Sequence, residues 1–302
     1  MKKMKNKQTT SNKIYVGSRA FDVALILFFI VLSIIFLYPF LNVIAVSLSS
    51  NKMISSGTVT WFPKEINFSG FRLLFEEANI LRSYWNTVVI AIGATIVNLI
   101  LTSMLAYVMM LPEFVLRKPI SIFLLITMFF SGGTVPSYLL IQKLGLMNSW
   151  WSLILPGAVS AYNVFVYRAF YKGISTEIRE AARIDGAGEA RILATIYVPM
   201  SKALYATFGL FSLVGVWNSY YDALLYIKDG AKQPIQMILR KIVFTSAMTD
   251  MQGATEMLNN GELNALNVQY ACIIATIGPI LLVYPFVQRY FVQGIQLGAV
   301  KG

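Results

Sequence analysis

Histidine is absent from this 302-residue chain, and cysteine occurs once, at Cys272. A single thiol cannot close an internal disulfide, and without imidazole the usual ligand set for a transition metal is missing. General acid–base chemistry near neutral pH loses its commonest agent for the same reason. Charge is scarce as well: Asp, Glu, Lys and Arg make up 13% of the residues, about half the share of an ordinary soluble domain. No G-x-x-x-x-G-K-[ST] phosphate loop occurs, so the chain has no visible means of binding ATP itself.

What is present is apolar. Hydrophobic residues account for 57% of the chain and the mean hydropathy is +0.63. A helix crosses a bilayer in roughly 20 apolar residues, and runs near that length lie at 23–50, 84–110, 120–141, 152–170, 203–221 and 270–291. The fold class expected is an all-α membrane protein with about six transmembrane helices. Residues 1–22 form a basic tail, 23–291 the membrane domain and 292–302 a second tail. The first run exceeds the short apolar core of a signal peptide, so it reads as a retained helix with a cytosolic N-terminus.

The basic residues agree with that orientation. It places Arg117, Lys118, Arg168, Lys172, Arg179, Arg183, Arg191, Lys202, Arg289 and Lys301 on the cytosolic side. The external loops, 51–83 and 222–269, offset their cations with Glu65, Glu76, Glu77, Asp229, Asp250, Glu256 and Glu262. Both termini are therefore expected inside. The net charge of +11 is topological, and no nucleic-acid partner is expected. In the second external loop, 235–244 is too short to span and reads as a helix on the outer face. These loops are either a landing surface for another protein or a plug over the bundle.

The segment 174–199 is charged and lies between two apolar runs. Ile174, Ile178, Ala181 and Ala182 fall at helical spacing, with Glu177, Arg179 and Glu180 on the more polar surface. Ser175 or Thr176 can cap its start. Gly186 and Gly188 permit a turn, and a second short helix runs from 189 to 198, ended by Pro199. The expected product is a helix–turn–helix elbow lying along the membrane.

Glu180, Ala181, Ala182, Gly186, Ile196, Val198 and Pro199 stand as in the EAA loop of bacterial ABC importer permeases, which this segment resembles; Val198 replaces the more usual Leu. The resemblance extends along nearly the whole chain. It includes Trp61-Phe62-Pro63, the Ser131-Gly132-Gly133 segment with Pro136, Trp217-Asn218, and a C-terminus ending in Val300-Lys301-Gly302. It points to the carbohydrate branch, of the maltose-permease G and lipoprotein-associated type. The resemblance implies a type I importer permease fold, in which Glu180, Ala181, Ala182, Asp185, Gly186 and Pro199 couple to an ATPase. By the same resemblance Gly298, Val300, Lys301 and Gly302 reach into the ATPase dimer. It also implies a second homologous permease, an extracytoplasmic solute-binding lipoprotein, a sugar or oligosaccharide substrate and a bacterial cell membrane location. ATP and Mg would belong to the partner ATPase; no cofactor, metal or catalytic residue is expected here.

Asn42, Asn86, Asn98, Asn163, Asn218 and Asp222 lie within or beside the spans, where a polar group either lines a pathway or holds helices together. Asn218, Tyr220, Tyr221 and Asp222 are the candidates for contact with a sugar. Competing readings are an ABC permease for another solute, an ion-coupled secondary transporter and an intramembrane enzyme. The first three apolar runs hold no ionisable mid-membrane residue for ion coupling. The absence of His and of a carboxylate pair argues against an enzyme.

Overall fold

A computed structural model describes residues 19–76, 80–244 and 264–299, with side chains for 21–76, 80–243 and 264–282. In chain order, α1 (Arg19–Ser47) leads through α2 (Asn51–Ser55) and α3 (Ser69–Glu76) into the long α4 (Ile80–Met110). Next come α5 (Arg117–Phe129), α6 (Thr134–Lys143), the single turn α7 (Trp151–Ile154) and α8 (Ala161–Lys172). The elbow follows: α9 (Thr176–Ile184), α10 (Glu189–Ile192), a π turn at Leu193–Tyr197 and α11 (Val198–Met200). The chain continues with α12 (Lys202–Asn218), α13 (Tyr221–Tyr226), α14 (Ile235–Phe244) and α15 (Ala265–Ala299). Residues 292–299, expected as tail, continue this last helix.

Among the described residues, three stretches are long and apolar enough to cross a membrane as single helices: Phe21–Ser47, Ile80–Met110 and Ala265–Leu282. A fourth candidate is the pair Glu189–Met200 and Lys202–Asn218, bent by 86°. The apolar runs at 120–141 and 152–170 do not form continuous rods. The first breaks where Phe130 turns extended and Gly133 takes φ +84°, a conformation that favours glycine. The second breaks at Pro156-Gly157, and α8 restarts at Ser160, whose Oγ accepts from Asn163 N.

Such breaks expose carbonyls where lipid offers no donor, and each unsatisfied backbone group there costs several kcal/mol. Asparagines on neighbouring elements supply the donors. Asn98 on α4 donates to Gly157 O (3.0 Å) and Ala158 O (3.4 Å) across the α7–α8 break. Asn86 does the same for Ala231 O (2.9 Å) and Gln233 O (3.0 Å). Asn42 reaches Thr60 O at 2.9 Å. Asn267 serves Val46 O, Ser47 O and Ser49 O at 3.1, 3.1 and 3.2 Å, fixing the end of α1 to the start of α15. Asn42, Asn86 and Asn98 all hold the fold together, and Asn98 also borders a cavity.

Two clusters of buried side chains flank α4. One gathers round its start: Leu73, Leu74, Ile80, Trp217, Ile235, Ile242 and Val268. Trp217 Nε1 donates to Thr276 O (3.2 Å), joining α12 to α15. Ile235, Met237 and Ile242 on α14 are buried, so that helix packs against α4 and α15. The second cluster surrounds the other end of α4 and carries the elbow. α1 differs from both, because its apolar window is wholly unburied; it is a bare apolar rod that touches the rest of the chain along α15.

Asn267 is the most connected of these donors. Replacing it with Leu takes the donor from Ser47 O and Ser49 O, each left to bear a desolvation penalty of about 1–3 kcal/mol, while Val46 O keeps the N–H of Ser49. Asn267→Leu is expected to lower the thermal midpoint of the detergent-purified protein, whereas Asn218→Leu, on an exposed side chain, leaves it nearly unchanged.

Candidate coupling site

The elbow is built from local rules. Ser175 Oγ accepts from Glu177 N (3.3 Å) at the start of α9, and Glu177 sits in the first turn with Arg183 in the last, each favourable to the helix dipole. The helix ends in paired reverse bonds, Ala187 N to Ala182 O (2.9 Å) and Gly186 N to Arg183 O (3.0 Å), with Gly186 at φ +79°. That is a Schellman ending, and it calls for glycine at this position. No atom lies within 4 Å of the place a Cβ would occupy on Gly186. Within this chain its requirement is conformational, not spatial.

The second arm widens into the π turn before Pro199. Proline donates no N–H, and its ring presses on the carbonyl four residues back, that of Thr195; an i→i+5 turn relieves both. The arm runs one residue beyond Pro199 to Met200, and the chain then turns 86° into α12. At the corner, buried Ser201 gives its N–H to Tyr197 O (3.0 Å) and Val198 O (3.1 Å).

Arg179 corrects the sequence reading. Expected on the polar surface, it is only 8% exposed. Its Nη2 and Nε grip Glu189 Oε1 (2.7 Å) and Oε2 (3.2 Å), and Nη1 reaches Glu113 Oε1 (3.3 Å) in the turn after α4. Tyr107 of α4 donates to the same Glu189 carboxylate. Arg183, half exposed, adds contacts to Glu113 (3.4 Å) and Glu189 (3.7 Å). This clamp joins both arms of the elbow to α4. Hydrogen bonding from Arg179 holds the Glu189 carboxyl below the usual carboxylate range, and Glu189 holds the guanidinium above its own ordinary value. Helical spacing hid the clamp, because the partners of Arg179 lie 10 and 66 positions away.

Beneath the clamp is a box of aromatic rings. Tyr107 and Tyr197 meet edge to face at 5.0 Å, Tyr171 and Tyr197 at 5.4 Å, and Tyr167 and Tyr205 at 5.4 Å. The hydroxyls of Tyr171 and Tyr205 are 2.7 Å apart, and Ser103 Oγ bonds both. Each well-placed ring pair adds about 0.5–1.5 kcal/mol beyond its buried area. The box ties α4, α8 and α12 to the elbow, and no sequence motif announced it.

The outer side of the elbow faces away from all this. Glu180, Ala181, Asp185, Gly186 and Pro199 are exposed and Ala182 is half buried. Ile184, an apolar side chain, is 86% exposed. Glu180 joins none of the ion pairs among the described residues. The outer side thus presents an apolar tip beside a carboxylate that enters no ion pair among the described residues.

Residues 87–297 match the family model described as Binding-protein-dependent transport system inner membrane component. The chain belongs to that family. The permease is 35% identical over 286 residues to the Polygalacturonan/rhamnogalacturonan transport system permease protein YtcP of Bacillus subtilis (strain 168), covering 94% of this chain and 99% of that one. It is 36% identical to Protein LplC of the same organism, over 95% and 96% of the two chains. Among solved structures it resembles a chain of a bacterial ABC transporter involved in the import of the acidic polysaccharide alginate. The TM-score is 0.85 at 30% identity, covering 90% of this chain and 97% of that one. The type I importer permease fold expected from the elbow is thus the fold of this multi-pass membrane protein.

The permease spreads the other candidate residues along one outer region. Asn218 Nδ2 bonds its own helix at Val214 O (3.0 Å), and its Oδ1 accepts from Gln236 (3.4 Å). The Tyr220 ring lies beneath Arg240, 5.7 Å from the guanidinium carbon, and Tyr221 OH is 3.3 Å from Thr134 Oγ1. Asp222 lines a cavity of about 220 Å³ with Thr87, Leu153, Gly157, Gly215 and Pro234. A second cavity of about 470 Å³ is lined by Asn98, Tyr162, Asn163, Phe208 and Ser212, and shares Gly157, Gly215 and Val216 with the first. Asn163 thus lines a cavity, as do Tyr162 and Ser212, which sequence reasoning had not singled out. Gly298 lies on α15; Val300, Lys301 and Gly302 fall outside the described residues.

Three outcomes follow for the elbow. Arg179→Ala removes a buried cation from two carboxylates and is expected to cost about 1.5–3 kcal/mol; Arg183→Ala, half exposed, costs well under that. Amide hydrogen exchange across 184–190 would register the difference. Because the Glu189 pKa is depressed on folding, its contribution is complete above the ordinary carboxylate value and disappears as pH falls through the lowered one. Exchange protection should therefore hold steady from neutral pH to the ordinary carboxylate range and fail below it. Gly186→Ala places Cβ at positive φ and is expected to cost about 1–2 kcal/mol, read as a lower thermal midpoint.

Proposed function

We propose that this permease is one of two homologous membrane subunits in an ATP-driven importer for a sugar or oligosaccharide. A dimeric ATPase, holding ATP and Mg, grips the elbow, and an extracytoplasmic binding lipoprotein delivers the substrate. Both termini face the cytosol, on the same side as the elbow, in a bacterial cell membrane. The observation that carries this reading is the elbow itself: Glu180 and Ile184 project outward while Arg179, Glu189 and Tyr107 brace the inner side. A surface built to be held and to transmit force suits a subunit that is driven from outside. Closure of the ATPase pushes the elbow, the attached helices tilt together, and access switches between the two faces of the membrane.

The saccharide class is supported by relatives named for polygalacturonan and rhamnogalacturonan transport and by the alginate importer. Oligomers of uronic acid polymers are accordingly the first substrates to offer. On this reading Asn218, Tyr220, Tyr221 and Asp222 border the substrate's path, and the C-terminal residues Gly298, Val300, Lys301 and Gly302 extend toward the ATPase.

Glu180→Ala, in the complex reconstituted in liposomes with its partners, tests the proposal. Truncating one member of a buried interfacial ion pair costs about 2–5 kcal/mol, so uptake should collapse while insertion and expression stay normal. ATP hydrolysis should no longer respond to the loaded binding protein. Uptake at the parental rate, at equal expression, would remove Glu180 from the docking role.

A further inference from the structure

At the elbow end of the bundle three cations meet without a counter-charge. Arg117 and Lys118 open α5, and Arg168 of α8 lies across that first turn with Nη1 3.4 Å from Ser121 Oγ. Ser121 in turn donates to the Arg117 carbonyl (2.7 Å). Arg168 Nε is buried and bonds nothing, and the Arg117 and Arg168 guanidiniums repel one another. None of the three cations enters an ion pair among the described residues. The nearest carboxylate in sequence, Glu113, is already held by Arg179 and Arg183.

The surface beneath selects the kind of anion. Ile122, Phe123, Ile126 and Phe129, on the same helix, are all exposed. A cationic rim above an apolar helix face matches a phospholipid, whose phosphate sits at the rim and whose tail covers the face. A free phosphate would use the rim and leave the face bare. We infer that Arg117, Lys118 and Arg168 bind the phosphate of an anionic phospholipid whose acyl chain lies along α5.

The test is native mass spectrometry of the permease purified from its membrane with whatever accompanies it, delipidated, then offered phosphatidylglycerol or phosphatidylcholine. Phosphatidylglycerol should be retained and phosphatidylcholine not. Retention should fall about fivefold for each cation removed, so Arg117→Gln with Arg168→Gln loses more than Lys118→Gln. The Lys118 side chain is exposed, so its replacement leaves the packing intact and keeps the test valid if the double variant folds poorly. Equal retention of the two lipids, or phosphatidylglycerol retention unchanged by Lys118→Gln, overturns the inference. Displacement of the lipid by excess inorganic phosphate assigns the rim to a free anion and overturns it too.

Discussion

Everything in this permease answers to one constraint: inside the hydrocarbon there is no water to bond a stray carbonyl or amide. A helix without proline meets it by itself, as α4 does, whereas in α15 Pro279 leaves the Ala275 carbonyl to the Tyr84 hydroxyl. The breaks at Phe130–Gly133 and at Ser201 are bonded by their own neighbours, Ser137 N to Gly133 O and Ser201 N to Tyr197 O, whereas the break at Pro156-Gly157 takes its donor from another helix. Asn98 completes that break, and Asn86, Asn42 and Asn267 serve the loops and helix ends around it. The polar residues scattered through an apolar sequence are the cost of allowing helices to bend. The bends in turn create the Gly157 and Gly215 walls that two adjoining cavities share.

The elbow solves a second problem by different means. Away from the membrane core its backbone is satisfied locally, by the Ser175 cap and the Gly186 ending, and what it needs is rigidity relative to the bundle. Arg179 supplies this by holding Glu189 and Glu113 together, with Tyr107 as a further donor. Both carboxylates stay partly wet, which limits the desolvation cost of a buried cation. The tyrosine box then carries the connection into α8 and α12. Clamp and box form one mechanical unit, and the exposed side of α9 is its free surface.

Legibility in the sequence followed the range of the interaction. The Ser175 cap, the Gly186 turn and the 235–244 helix are written within a few residues and could be read directly, as could the long helices α1, α4 and α15. The breaks inside 120–141 and 152–170 could not, because each stretch has the length of a full span. The role of Arg179 was not legible, since its helical neighbours placed it on the polar face and its partners come from another loop and another helix. The donor roles of Asn86 and Asn98 were open between two uses until the carbonyls opposite them were known. Tyr107, Tyr171, Tyr197 and Tyr205 share no spacing at all, and only the packing of four elements brings their rings together.

The near-square corner at Ser201 has a mechanical consequence. The arm from Glu189 to Met200 is roughly 18 Å long and α12 roughly 26 Å, at 1.5 Å per residue. Joined at 86°, they form a crank with its pivot at the corner. A displacement of about 3 Å at the far end of the short arm corresponds to a turn of about 10° and carries the far end of α12 by about 4 Å, taking both arms as rigid helices. A push on the short arm is thereby delivered as torque, and its largest sweep falls at the far end of α12.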